Sequence, residues 1–251
     1  MRLLPIEVEN LSDLPPVMAE QARDSDGWVK IVADWIDRSK GADSDLDPLW
    51  PTEILKEGIA AAHQEGARVT AHAFSHKAIV GLLDAGIDCI EHGSGIDEEQ
   101  AQECVRRGIP VTPTLLQVEL FNQFAAQAGK KYPVYAATMQ QMWEQRREHF
   151  AMLHQSGVQL LPGTDSGGYQ PHGELGRELS LWERGGVSSR EIIDFATWRA
   201  RDYLGMGAIE PGVRADYLRY RVDPSDALAR ATKPEKVALL GKEFSPKAAV
   251  N

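Results

Sequence analysis

The chain has 251 residues, with 27 Lys+Arg against 37 Asp+Glu and a net charge of −10 at pH 7. That length suits one large domain, or one domain with a small appendage, and is enough to bury a real core. The acidic balance argues against a phosphate backbone or an anionic membrane surface as main partner, so a small molecule or a protein is expected and nucleic acid is not.

Cys89 and Cys104 are the only cysteines. They are too few and too unpatterned for a disulfide scaffold or a thiolate zinc site, which leads to the expectation of a reducing, cytoplasmic compartment. The opening MRLLPIEVEN turns acidic too soon for a signal peptide. No apolar run approaches the roughly 18 residues of a membrane span, and a soluble protein is expected.

From Trp28 to about Thr164, short apolar strands alternate with helical stretches, the pattern of a parallel sheet with crossover helices. The predicted strands are WVKIVA (28–33), ARVTAHA (67–73), IDCIEHG (87–93), IPVTPTL (109–115) and VQLLPGTD (158–165). A polar loop, RSKGADSDLDPLWP (38–51), follows the first. PTEILKEGIAAAHQEG and SHKAIVGLLDAG carry apolar residues at helical spacing and end on Gly, as a helix stop should. DEEQAQECVRRG places acids first and arginines last, which suits the helix dipole. His72, His92 and Thr112 recur every 20 residues, room for a strand, a helix and two turns.

YAATMQQMWEQRREHFAMLHQSG (135–157) reads as one long helix with His149 and His154 solvated, and SSREIIDFATWRARDYLGMG as another with a Ser cap. IEPGVRADYLRYRVDP and KPEKVALLGKEF then turn to extended, hairpin-like segments.

Four predicted strands end on, or contain, a residue of metal-binding or acid–base type: Lys30, His72, His92 and Asp165. In a parallel β/α barrel such residues converge at the carboxyl ends of the strands. Alternation sends Val29 and Ile31 toward the covering helices and Trp28, Lys30 and Val32 the other way. A lysine so placed needs a partner or a chemical change. Asp165 leaves an apolar run into the glycine-rich turn TDSGG, where a carboxylate must cap a helix, pair with a cation or bind a metal.

Each residue alone has a plainer explanation. A His at a strand end is commonly a hydrogen-bonded structural residue, TDSG could be a helix cap, and Lys30 could extend to solvent. Together they match the imidazole-plus-carboxylate donor set of borderline divalent cations. His76 falls on the following helix. Glu91, beside His92, points to the opposite face of a regular strand and is assigned to packing or a helix-side hydrogen bond.

VTAHAFSHKAIVGLLDAGIDCIEHG, PVTPTL and LLPGTDSG, followed by PHGELGREL and IEPGVRADY, resemble the metal-dependent amidohydrolase superfamily, in its imidazolonepropionase-like and Xaa-Pro dipeptidase-like branch. The likeness runs from about Trp28 to about Tyr220. It implies an α/β fold, a partial (β/α)8 TIM-type barrel in which strands four to eight are clearest, with a short C-terminal β appendage. Residues 1–208 are expected to form the barrel and 209–251 a β segment of a composite sandwich. The resemblance further implies a carbamylated Lys30 bridging metals, His72 and His92 as ligands, Asp165 as ligand and proton shuttle, and His172 near the substrate. The cofactor implied is a divalent metal, zinc first, with iron or manganese as alternatives.

The superfamily's first strand supplies a His-X-His pair, and none occurs in these 251 residues. The chain resembles the C-terminal two-thirds of a family member. The leading expectation is a metal-dependent hydrolase of C–N amide bonds in a small, dipeptide-like or cyclic molecule. The rival expectation is a non-catalytic remnant or scaffold that needs a partner segment. An open sheet edge beside WVKIVA also leads to the expectation of self-association.

Overall fold

A computed structural model describes residues 6–245. The chain divides into two compact units, one built from the chain up to Pro113 with Val118–Gln159, the other from Thr114–Gln117 with the chain from Leu160 on.

The first unit opens with α1 (Leu14–Asp24), whose first turn tolerates prolines because its N–H groups have no intrahelical acceptor. Then come β1 (Trp28–Val32), the antiparallel pair β2 (Asp34–Ile36) and β3 (Leu46–Pro48), α2 (Thr52–Gln64), β4 (Arg68–Ala73), α3 (His76–Ala85), β5 (Cys89–His92), α4 (Glu98–Arg107) and β6 (Val111–Thr112). Four strands make one parallel sheet in the order β1-β4-β5-β6, the α/β partial barrel expected of the sequence.

The three predicted crossover helices are present with their predicted stops. Ser75 Oγ accepts from Ala78 N–H to cap α3, and α3 ends at Gly86 in the left-handed conformation. Asp97 and Gln100 form a reciprocal capping box on α4. Helices on one face oblige every second strand residue to be apolar. Val29, Ile31, Val69, Ala71, Ile90 and Val111 are accordingly all buried.

Two predicted segments differ. The polar loop 38–51 contains β3, which pairs with β2 to make a hairpin closed by a short 3₁₀ stretch at Arg38–Asp43. The expected strand 158–165 forms no ladder among the described residues, although Val111 N–H donates to Gln159 C=O at 2.9 Å. Pro162 has no N–H to give, and Gly163 next to it weakens extended pairing.

The first unit continues with α6 (Phe121–Ala128), after a short α5 (Leu115–Val118) that spans the boundary, and with the long α7 (Pro133–Gln155). Leu46, Phe74, Val118, Phe121, Ala125 and Met139 pack into one core cluster. His149 on α7 is not solvated as expected: it is half-buried, and its Nε2 lies 3.0 Å from Ile96 C=O.

In the second unit, α8 (Leu175–Arg184) carries Glu178, a fully buried carboxylate. It accepts from Leu115 and Leu116 N–H at 2.8 Å each and from Trp182 Nε1 at 2.9 Å. Those three donors offset the cost of burying it, although burial still raises its pKa. The expected helix is present from Ser189 to Tyr203, as α9 (Ser189–Asp194) and α10 (Ala200–Tyr203) joined through a π-helical turn at Phe195–Arg199. The chain continues through β7 (Tyr217–Arg219), α11 (Leu228–Ala231), β8 (Lys236–Leu239) and β9 (Lys242–Phe244). The three strands form the expected antiparallel appendage.

Gly95 ties the β5–α4 loop to the loop after β4. A Cβ there would lie 2.4 Å from His76 N and 2.6 Å from Phe74 O, both backbone atoms with no room to give. Gly95→Ala is expected to destabilise the first unit by about 3 kcal/mol through overpacking. Urea unfolding followed by circular dichroism checks this.

Candidate metal centre

The site grows from the sheet's register. Lys30 pairs with Thr70, and His72 with Glu91, across adjacent parallel strands. Residues in register share a face, so Lys30, Thr70, His72 and Glu91 lie together on the side opposite the helices. Lys30 Nζ donates to Glu91 Oε2, and Thr70 Oγ1 donates to Glu91 Oε1 at 3.0 Å. The partner that an inward lysine requires is therefore Glu91. This corrects the assignment of Glu91 to the opposite face.

That assignment assumed that β5 alternates regularly to its end. It does not: His92 has φ 65°, a left-handed value that costs a non-glycine residue on the order of 1 kcal/mol or more. The twist carries the His92 ring to a T-shaped contact with the His72 ring, centroids 4.7 Å apart. Two consecutive residues, Glu91 and His92, thus both serve the same side of the sheet. Phe74 closes the base of the pair, with ring centroids 4.4 Å from His72 and 4.7 Å from His92, and contacts Phe121 at 4.8 Å. Trp35 flanks His72 at 5.4 Å.

Both rings are held neutral. Burial, helped by the Lys30 charge, lowers the His72 pKa to about 4. Burial also pushes His92 well below the usual imidazole range, with His72 and Lys30 acting in the same direction. Neutral imidazole is the ligand form of histidine. His72 Nε2 is buried with no partner within hydrogen-bond distance. These two side chains fit a divalent cation. Among the described residues, no group of three or more His, Cys, Asp and Glu side chains is gathered to hold one.

Asp34 went unnoticed in the sequence. It is fully buried and accepts from Phe74 N–H at 3.0 and 3.1 Å and from Ser75 N–H at 2.5 Å, with Oδ1 3.5 Å from His72 Nε2. Burial raises its pKa against the opposing effect of those hydrogen bonds. The signal was available, since Asp34 continues the alternation of Lys30 and Val32.

The second unit holds the other two expected residues. Asp165 is exposed, with φ 51°, in a turn where Thr164 Oγ1 and Ser166 Oγ lie 2.7 Å apart. Asp165 thus lies in the glycine-rich turn expected of it, although the segment before it forms no ladder among the described residues. His172 is also exposed, beside Gly167. Cys89 is inert: burial pushes its thiol up to about 11.

Histidines with lowered pKa bind fewer protons folded than unfolded. Unfolding therefore takes up protons between about pH 6.5 and pH 4, and stability falls as pH drops through that window. The urea midpoint of the metal-free protein is expected to fall between pH 7 and pH 5. The fall should be shallower in the His72→Gln, His92→Gln variant, and parallel profiles for the two proteins would contradict these shifts.

The amidohydrolase family pattern matches residues 18–242. An uncharacterized protein of Mycobacterium tuberculosis is 42% identical over 241 residues, covering 96% of this chain and 64% of that protein. Aspergillus niger ochratoxinase is 26% identical over 196 residues, covering 76% of this chain and 40% of its own length. Among solved structures, a Xaa-Pro dipeptidase with methionine in its active site superposes with a TM-score of 0.80 at 21% identity, over 95% of this chain and 59% of that one. This chain thus spans less than two-thirds of the relatives it matches. The order of its strands, helices and strand-end histidines, together with a family match over most of its length, identifies it as a member of the amidohydrolase family.

Proposed function

We propose that the protein is a metal-dependent hydrolase of C–N amide bonds in small molecules, dipeptide-like or cyclic. The observation that carries this reading is the pair of neutral, buried rings of His72 and His92 at the ends of adjacent strands in an amidohydrolase-family chain. The prolidase-like and ochratoxinase relatives support the amide class.

In this reading His72 and His92 hold the cation through their ring nitrogens. The bound metal, zinc first, with iron or manganese as alternatives, supplies a polarised carbonyl and a water acidic enough to attack it near neutral pH. The residues of this chain do the rest. Phe74 and the sheet exclude water from the two rings and keep them uncharged. Asp165 is proposed to take the water proton and return it to the leaving amine, on the family likeness. His172 is proposed to meet the substrate on the same ground. Lys30 has two states to choose between. As an amine it pairs with Glu91, whereas as a carbamate it would set a second negative charge beside Glu91, which ties carbamylation to metal loading.

The lack of a His-X-His pair favours a second reading, in which the chain is a scaffold that needs a further segment to complete the site. Elemental analysis and hydrolysis assays separate the two. Protein purified without chelator is expected to carry zinc, iron or manganese, and His72→Ala with His92→Ala to lose it. Xaa-Pro dipeptides and N-benzoyl-phenylalanine are the substrates to assay. Asp165→Asn is expected to lower turnover about 100-fold or more while keeping the metal, the scale of a lost general acid–base group. Metal retained in the double variant overturns the ligand assignment. Metal bound without turnover of any substrate supports the scaffold reading.

A further inference from the structure

We infer that Asp34 is the positioning residue that orients His72 and selects its tautomer, directing Nε2–H toward the carboxylate and leaving Nδ1 as the metal-binding nitrogen. The inference rests on the proposed metal reading for its consequence, but its geometry belongs to the metal-free protein.

Asp34 is the fully buried acid of the site, and its position is over-determined. Three backbone hydrogen bonds, two from Phe74 N–H and one from Ser75 N–H, fix both carboxylate oxygens. Ser75 caps α3 and Phe74 belongs to the core cluster, so the carboxylate is anchored to rigid structure on two sides. It begins β2, whose pairing with β3 fixes its backbone as well. His72 Nε2 stands 3.5 Å from Oδ1 and has no hydrogen-bond partner. A shift of a few tenths of an ångström brings that pair within ordinary hydrogen-bond distance. The contacts with Trp35, Phe74 and His92 leave the ring little other freedom.

A carboxylate can only accept, so the nitrogen facing it is the one that carries the proton. The other nitrogen then keeps its lone pair for a metal, and the carboxylate raises the basicity of the ring. Carboxylate partners of this kind typically change metal affinity 10–100-fold when removed.

Three measurements test the assignment. Long-range ¹⁵N–¹H NMR of metal-free wild-type protein should show His72 protonated at Nε2 and bare at Nδ1. The opposite tautomer overturns the inference without any variant. Asp34→Asn keeps the size of the side chain and an acceptor for the backbone N–H groups. It should fold with a near-native circular dichroism spectrum, change the His72 ¹⁵N pattern and weaken zinc binding 10–100-fold in competition with a chromogenic chelator. A residue that only anchors the loop predicts unchanged tautomer and unchanged zinc affinity in Asp34→Asn, and that result overturns the assignment. Zinc affinity unaltered by His72→Ala with His92→Ala would instead remove the metal reading. The wild-type tautomer would still decide the role of Asp34.

Discussion

Helices cover one face of the parallel sheet, and that burial compels every second side chain of β1, β4 and β5 to be apolar. The opposite face is released from the demand, so Lys30, Thr70, His72 and Glu91 can occupy it without disturbing the core. The site follows from this division. It is completed where alternation is broken, at His92, whose left-handed backbone swings a second imidazole against the first. With that left-handed φ, the ring of His92 lies in contact with the rings of His72 and Phe74.

Burial then does chemical work. Two imidazoles packed against Phe74 and each other cannot both charge in a poorly solvated place beside Lys30. Their neutrality is a consequence of packing, and it is the property a cation requires of them. The same packing explains why Glu91 matters. It accepts from Lys30 and from Thr70, so the lysine charge beside the rings is paired. Asp34 supplies the opposite kind of control, a buried acid held by Phe74 and Ser75 N–H groups and aimed at His72.

Much of this was legible in the sequence. Crossover helices with Gly stops, the strands carrying Lys30, His72 and His92, and the C-terminal β segments follow from periodicity and turn chemistry, which are local. Glu91 was misread because the positive φ at His92 is a tertiary outcome that a period-two rule cannot supply. Asp34 was passed over because its partners, Phe74 and Ser75, lie 40 and 41 residues away. The segment 158–165 looked like a strand through its apolar run, yet Pro162 and Gly163 deny it a ladder. Asp165 stands out through the glycine-rich turn after its apolar run and His172 only through the family likeness, and both lie on exposed chain in the second unit.

The central claim is that His72 and His92 jointly bind a divalent cation. X-ray absorption at the zinc edge, on the 251-residue chain loaded with one equivalent of zinc, reads the ligand shell directly. The account predicts at least two imidazole nitrogens at about 2.0–2.1 Å, with their outer-ring scattering lost in His72→Ala with His92→Ala. A spectrum of oxygen ligands alone, identical in wild type and variant, would contradict it.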